Sequence, residues 1–203
     1  MKYVKMLGLA AVAAMALMAF VGAGTASATT LTGVGGTVLK AGTEIHAVNE
    51  GVVKLTTSFK NIECEESTVK GTTDNETGTT VTGSIAKTNL TWGKCNCEVK
   101  TLEGGKLHVA VSGSGPNGSV SSSGAEVTAN CSTIFGTVHC IYATGAGTSL
   151  GTLKGSTTTG STATMEIKEN NIPRLSTSAL CAEKANWDAN YVVDVPDTLN
   201  VIN

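Results

Sequence analysis

Arginine is nearly absent from this chain. Arg174 is the only one, and charged residues of all kinds make up 15% of the 203 positions. A nucleic-acid partner needs lysine and arginine clustered on one face, so the composition excludes that class. Aromatic residues are scarce at 4%, which commits most rings to a core before any is spare for a surface. Histidines number three, His46, His108 and His139, and they are the side chains a general base near neutral pH draws on. All three fall in or beside alternating segments, where a half-buried or solvent-facing histidine is the ordinary reading. No Gly-x-Ser-x-Gly elbow introduces a helix, since Val111-Ser112-Gly113-Ser114-Gly115 lies in a flexible serine- and glycine-rich stretch. Glu65, Glu66, Asp74, Glu76, Glu126 and Asp188 form the pool for a glycosidase carboxylate pair, and nothing in the sequence brings two of them together. No catalytic residues, no cofactor motif and no metal site are expected.

One long apolar run is present, from Leu7 to about Gly24. It follows Lys2 and Lys5 and ends at Ala26-Ser27-Ala28, the small residues that a signal peptidase accepts. Residues 1–28 are therefore expected to be a signal peptide and 29–203 a single domain. Taking 28 residues from 203, Lys2 and Lys5 among them, leaves 175 and moves the formal net charge from -2 to -4. No later run approaches the ~20 apolar residues of a membrane span. The mature chain is expected to be secreted, extracellular or held in the cell envelope, with no membrane span.

Helical periodicity is as scarce as charge. Threonine, serine, valine and glycine dominate, and β-branched side chains are stiff at χ1 and suit a pleated surface. Apolar and polar residues alternate over Val52 to Phe59, Thr79 to Ile85, Glu126 to Asn130, Val138 to Ala143, Ser161 to Lys168, Asn190 to Val195 and Leu199 to Ile202. Turn signals separate them at Asp74-Asn75, Gly104-Gly105, Pro116-Asn117-Gly118, Ser123-Gly124, Gly145-Ala146-Gly147 and Thr159-Gly160. Gly104-Gly105-Lys106 and Pro116-Asn117-Gly118 read as hairpins. The pattern predicts an all-β fold, an antiparallel β-sandwich of immunoglobulin-like or jelly-roll-like form. Ser178 to Trp187 is the one helix candidate, or else a loop held by Cys181. Residues 29 to 38 read as a donor segment for strand addition or as a frayed terminus.

Six cysteines in an exported chain, Cys64, Cys95, Cys97, Cys131, Cys140 and Cys181, predict three disulfides. Cys95-Asn96-Cys97 has a single intervening residue, against about two to four in structural zinc sites, which argues against metal. Cys131 and Cys140 bracket a short hairpin loop and are expected to pair with each other. Cys64 then joins Cys95 or Cys97, and Cys181 the other. Trp92, Tyr142, Trp187 and Tyr191 are candidate ligand-binding rings, a stacking platform for a sugar, with core packing as the competing use.

The blocks Leu55 to Cys64, Leu90 to Cys97, Ser122 to Val127, His139 to Thr144 and Leu150 to Gly155, with Cys181, Trp187, Tyr191 and Pro196, resemble a group of small exported bacterial proteins. The likeness spans most of the mature chain. That group carries no assigned activity, so the resemblance implies export and no functional residue. The expected function is a non-catalytic secreted or cell-surface protein that binds an unknown macromolecule or a glycan, or assembles with itself. The alternative is a secreted hydrolase, or a hydrolase inhibitor, acting on extracellular polymers.

Overall fold

A computed structural model describes residues 28–203 other than 59, 114, 135 and 159; the expected leader, up to Ser27, lies outside the described residues. Its strands, in chain order, are β1 (Thr29–Thr32), β2 (Glu44–Asn49), β3 (Val53–Thr56), β4 (Asn61–Thr73), β5 (Thr77–Gly78), β6 (Val81–Ser84), β7 (Leu90–Cys95) and β8 (Glu98–Glu103). There follow β9 (Lys106–Val111), β10 (Gly118–Ser123), β11 (Glu126–Thr133), β12 (Gly136–Ala143), β13 (Thr148–Lys154), β14 (Thr164–Pro173), β15 (Lys184–Val195) and β16 (Asn200–Ile202). No α-helix occurs among the described residues. The expected helix at 178–187 is a loop running into β15. The guanidinium of Arg174 donates to the Ser178 carbonyl at 2.7 Å and to the Cys181 carbonyl, so the chain's single arginine holds that loop.

The all-β expectation stands, and the sandwich does not. Strands β14-β13-β10-β9-β6-β4-β2-β15 lie in that order, and β15 returns to pair with β14, which closes an eight-stranded antiparallel barrel. Alternation cannot tell the two folds apart, because one face is buried in both; what decides is whether the outermost strands meet. Here Met165 pairs with Tyr191 while Tyr191 also faces Asn49 of β2, so β15 has partners on both edges. The inward set includes Val81, Val120, Leu153, Met165, Ile167, Ala189, Tyr191 and Val193, all buried. Outward positions carry ion pairs such as Lys70 with Glu44 and Lys168 with Glu166. Deep inside, Tyr191 is fully buried and its hydroxyl meets Ser67 Oγ at 2.9 Å. Burial drives its phenol pKa upward, and the bond to Ser67 offsets part of that rise.

One barrel mouth is plugged by a small sheet, β16-β1-β5. Leu31, Leu199 and Val201 point from it into the core, and Thr29 Oγ1 accepts from the Val111 amide at 3.0 Å. Residues 29–32 are thus neither a donor segment nor frayed, because burying Leu31 to 2% exposure needs them in place.

Beyond the opposite mouth lies a second lobe. Long strands β4, β14 and β15 run on past the barrel, joined there by β3 and β7, and a separate sheet, β12-β11-β8, faces them. Two small clusters fill it, Val138, Cys140, Tyr142, Ile172, Cys181 and Ala185 in one, Ile62, Cys97, Ala129 and Cys131 in the other. All three disulfides are in this lobe: Cys64–Cys95, Cys97–Cys131 and Cys140–Cys181. Cys64 does join Cys95, but Cys181 pairs with Cys140 and not with the remaining Cys97. The expected Cys131–Cys140 bond is wrong because the β11–β12 register sets Cys131 opposite Val138 and Cys140 opposite Ala129. The two thiols are diagonal, and each finds its partner on a different segment.

The glycine pairs have a different meaning from the one expected. Pro116-Asn117-Gly118 does close a hairpin, with Val111 opposite Gly118. Gly104-Gly105 does not, since β8 pairs with β11 and β9 with β6 and β10. It carries the chain from the second lobe back to the barrel, as Gly124 and Gly145–Gly147 carry it across at other points. Gly105 has φ 71°, and a Cβ there would lie 2.4 Å from the Ala125 amide nitrogen and 2.5 Å from the Ser123 carbonyl oxygen. The crossovers press backbone to backbone at a waist, where only glycine fits.

Candidate functional site

The four candidate rings do not form an exposed platform. Tyr142 and Tyr191 are buried at 1% and 0% exposure, and the Tyr142 hydroxyl donates to the Ala182 carbonyl at 3.3 Å. Trp92 and Trp187 pack against each other at the waist, centroids 6.1 Å apart and tilted by 53°. With Tyr142 they border an apolar cavity of about 40 Å³ inside the second lobe, while Tyr191 belongs to the barrel core. The Trp92 indole donates to Thr101 Oγ1 at 3.0 Å, and Thr101 in turn donates to the Leu90 carbonyl. Trp187 Nε1 is buried without a partner.

The histidines sit on outer walls. His46 Nδ1 lies 2.6 Å from Asp194 Oδ1, and His139 Nδ1 lies 2.7 Å from Asn130 Oδ1. His108 contacts Thr82 Oγ1 at 3.1 Å and Ser123 Oγ at 2.9 Å, a serine–histidine contact on the convex outside of the barrel. Of the carboxylates, Glu66 is paired with Lys94 and Asp74 with Lys106. No cluster of three metal-ligating side chains occurs among the described residues.

Asp74 has a lowered pKa. Partial burial pushes it up, but the Ser84 hydroxyl at 2.8 Å and the Lys106 ammonium at 3.1 Å outweigh this. A folded-state pKa below the unfolded one stabilises the fold above the ordinary value of 3.8 and is lost as pH falls through the folded value. Asp74→Asn is therefore expected to lower the urea midpoint slightly at pH 7, with the gap to the parent shrinking as pH drops below 3.8. A gap that widens in acid sinks this assignment.

The largest concavity described lies at the plugged mouth. It holds about 480 Å³, against about 80 Å³ left inside the barrel. Strands β1 and β16 supply its floor through Thr32, Thr198, Asn200 and Ile202, and the turn at Val34–Gly36 and Pro116 bound it. Period-two alternation builds the floor: Leu199 and Val201 enter the core, so Thr198 and Asn200 face the other way. The turn needs Gly35 and Gly36, whose φ values of 66° and 76° favour glycine. Thr198 and Asn200 are only 3% and 9% exposed, yet Thr198 Oγ1 and Asn200 Oδ1 have no hydrogen-bond partner. Leaving a buried polar atom unpaired costs about 1–3 kcal/mol. Both atoms are closed to solvent, beneath the surface of the groove.

Neither residue stood out in the sequence. The alternation of Leu199 to Ile202 gives the face on which Asn200 lies, but nothing local says that this face is also covered. No family model matches the chain, and no curated protein and no solved structure matches it. Site assignment rests on this geometry.

Proposed function

We propose that the protein is an exported, non-catalytic binding protein whose ligand sits in the groove over β1 and β16. The observation that carries this reading is the uncharged concavity of about 480 Å³ bounded by the turn at Val34–Gly36, Pro116 and the β1–β16 sheet, far larger than the spaces described inside the two lobes. Export is supported by the leader pattern and by three disulfides, which form in oxidising compartments. Its place is outside the cytosol, released or held at the cell surface. The likeness to small exported bacterial proteins fits the same picture. Charged pairs on the outer wall and apolar side chains within are the reverse of a lipid-facing barrel.

The hydrolase alternative has less support. Ser123 and His108 touch, but neither lines the groove or either core cavity, and a nucleophile needs a place for substrate beside it. Self-assembly by strand addition to the barrel wall also has less support, because closure removes the wall's edges and leaves edges only to the small sheets.

Val34 stands at the groove rim with 52% exposure, so a larger side chain fits there without disturbing the core. Val34→Trp is expected to leave the melting temperature unchanged and to abolish co-sedimentation with whichever insoluble or polymeric probe the parent binds. The probes are neutral and acidic polysaccharides and peptidoglycan. Binding that Val34→Trp leaves intact, or no binding to any probe, overturns the groove as the site.

A further inference from the structure

We propose that Cys64–Cys95 is a thiol-exchange site, where an external thiol attacks Cys95 Sγ while the other two disulfides stay closed. Cys64, Cys97, Cys131, Cys140 and Cys181 are buried, at 3% to 6% exposure. Cys95 is the exception, half-buried between the exposed Lys94 and Asn96. A disulfide reacts where a thiolate can reach one of its sulfurs, and the thiolate has to arrive along the S–S axis, from the side away from the sulfur it displaces. Strand register fixes what each approach meets. Cys64 of β4 faces Cys95 of β7 on one side and Val53 of β3 on the other. Attack on Cys64 would have to pass through β3. Attack on Cys95 comes from the outer edge of β7, which pairs with β4 and with no other strand among the described residues. The sulfurs of Cys97, Cys131, Cys140 and Cys181 belong instead to the buried clusters, with Cys131 opposite Val138 and Cys140 opposite Ala129.

The reactant class is a small or protruding thiol, such as glutathione, and the exchange balances with nothing else. Its thiolate bonds to Cys95 Sγ, the Cys64–Cys95 bond breaks, and Cys64 leaves as a thiolate that takes a proton from water. A second thiolate then attacks the external sulfur held on Cys95, which forms the reagent's own disulfide and releases the Cys95 thiol. Two reagent thiols are oxidised and one cystine is reduced. After the first step Cys64 and Cys95 stay beside each other, because Glu66 to Val69 of β4 still pair with Gly93 to Leu90 of β7, so the exchange is reversible.

The test uses the oxidised mature protein in its folded state, treated with limiting dithiothreitol or, separately, with glutathione, then quenched in acid, trapped with N-ethylmaleimide and peptide-mapped. With dithiothreitol, the first product is expected to have lost one disulfide and to carry its labels on Cys64 and Cys95. With glutathione, the adduct is expected on Cys95 and the label on Cys64. Both reactions speed up as rising pH increases the thiolate fraction of the reagent. In urea, where burial and strand pairing are gone, the preference for this bond is expected to be lost. Opening of Cys97–Cys131 or Cys140–Cys181 first, loss of all three bonds together, glutathione on Cys64, or a preference that persists in urea overturns the proposal. So does a Cys64–Cys95 bond that resists both reagents in the folded protein.

Discussion

Reducing the disulfides is expected to unfold the protein at ambient temperature. The bonds Cys64–Cys95, Cys97–Cys131 and Cys140–Cys181 span 31, 34 and 41 residues, and the chain-entropy model assigns each about 4 kcal/mol. The three loops follow one another without nesting, so their contributions add to a first approximation. Their sum rivals the whole stability of an ordinary domain, about 5–15 kcal/mol. Packing points the same way. Cys97, Cys131, Cys140 and Cys181 are themselves members of the two small clusters, four of their ten buried residues, so the second lobe draws much of its core from cystine. The barrel keeps its own apolar interior, with no cystine in it. Urea titration with and without reductant checks this, and at intermediate reduction the second lobe is expected to melt first. A reduced protein whose midpoint stays within about 1 kcal/mol of the oxidised one sinks the argument, since that is the size of a surface substitution and not of a cross-link.

Trp187→Ala is the single substitution expected to cost most, about 3–5 kcal/mol, the usual range for removing a large aromatic from packed surroundings. Its ring packs against the barrel core and against the Cys140–Cys181 cluster at once, and it meets Trp92 in a tilted contact. It stands on β15 opposite Leu55 of β3 and Glu169 of β14, where the long strands leave the barrel. Removing it opens the waist between the lobes, so unfolding that is a single step in the parent is expected to separate into two. Trp187→Phe is milder because it keeps most of the ring and removes the unpartnered buried Nε1. Urea denaturation followed by far-ultraviolet and near-ultraviolet circular dichroism reads both effects. A loss below about 1 kcal/mol for Trp187→Ala shows that the ring is not the joint between the lobes.

Strand positions were legible where alternation is strict. Glu126 to Asn130 and Val138 to Ala143 fall within β11 and β12, and Leu199 leads into β16. Alternation survives there because each strand has one buried face. Glycine signals were legible as breaks, and as a hairpin at Pro116-Asn117-Gly118 but not at Gly104-Gly105: a crossover and a turn both need a residue without Cβ, and Gly105 meets that need against Ala125. Ser178 to Trp187 looked helical from Leu180, Lys184 and Trp187, a spacing that here records two unrelated neighbours. Leu180 is exposed in a loop, while Trp187 belongs to β15. Of the rings offered for a sugar, Tyr142 and Tyr191 went to the competing use, core packing, while Trp92 and Trp187 meet at the joint between the lobes.

From local chemistry alone came the extended backbone and the oxidised thiols, because side-chain branching and cysteine number act one position at a time. Closure of the barrel, the pairing of Cys131 with Cys97, and the unpaired Thr198 and Asn200 arose only in three dimensions. Each depends on which strands become neighbours and in what register. That is settled by packing between residues far apart in the chain, where a shift of two positions moves one thiol away from another without changing which face it occupies.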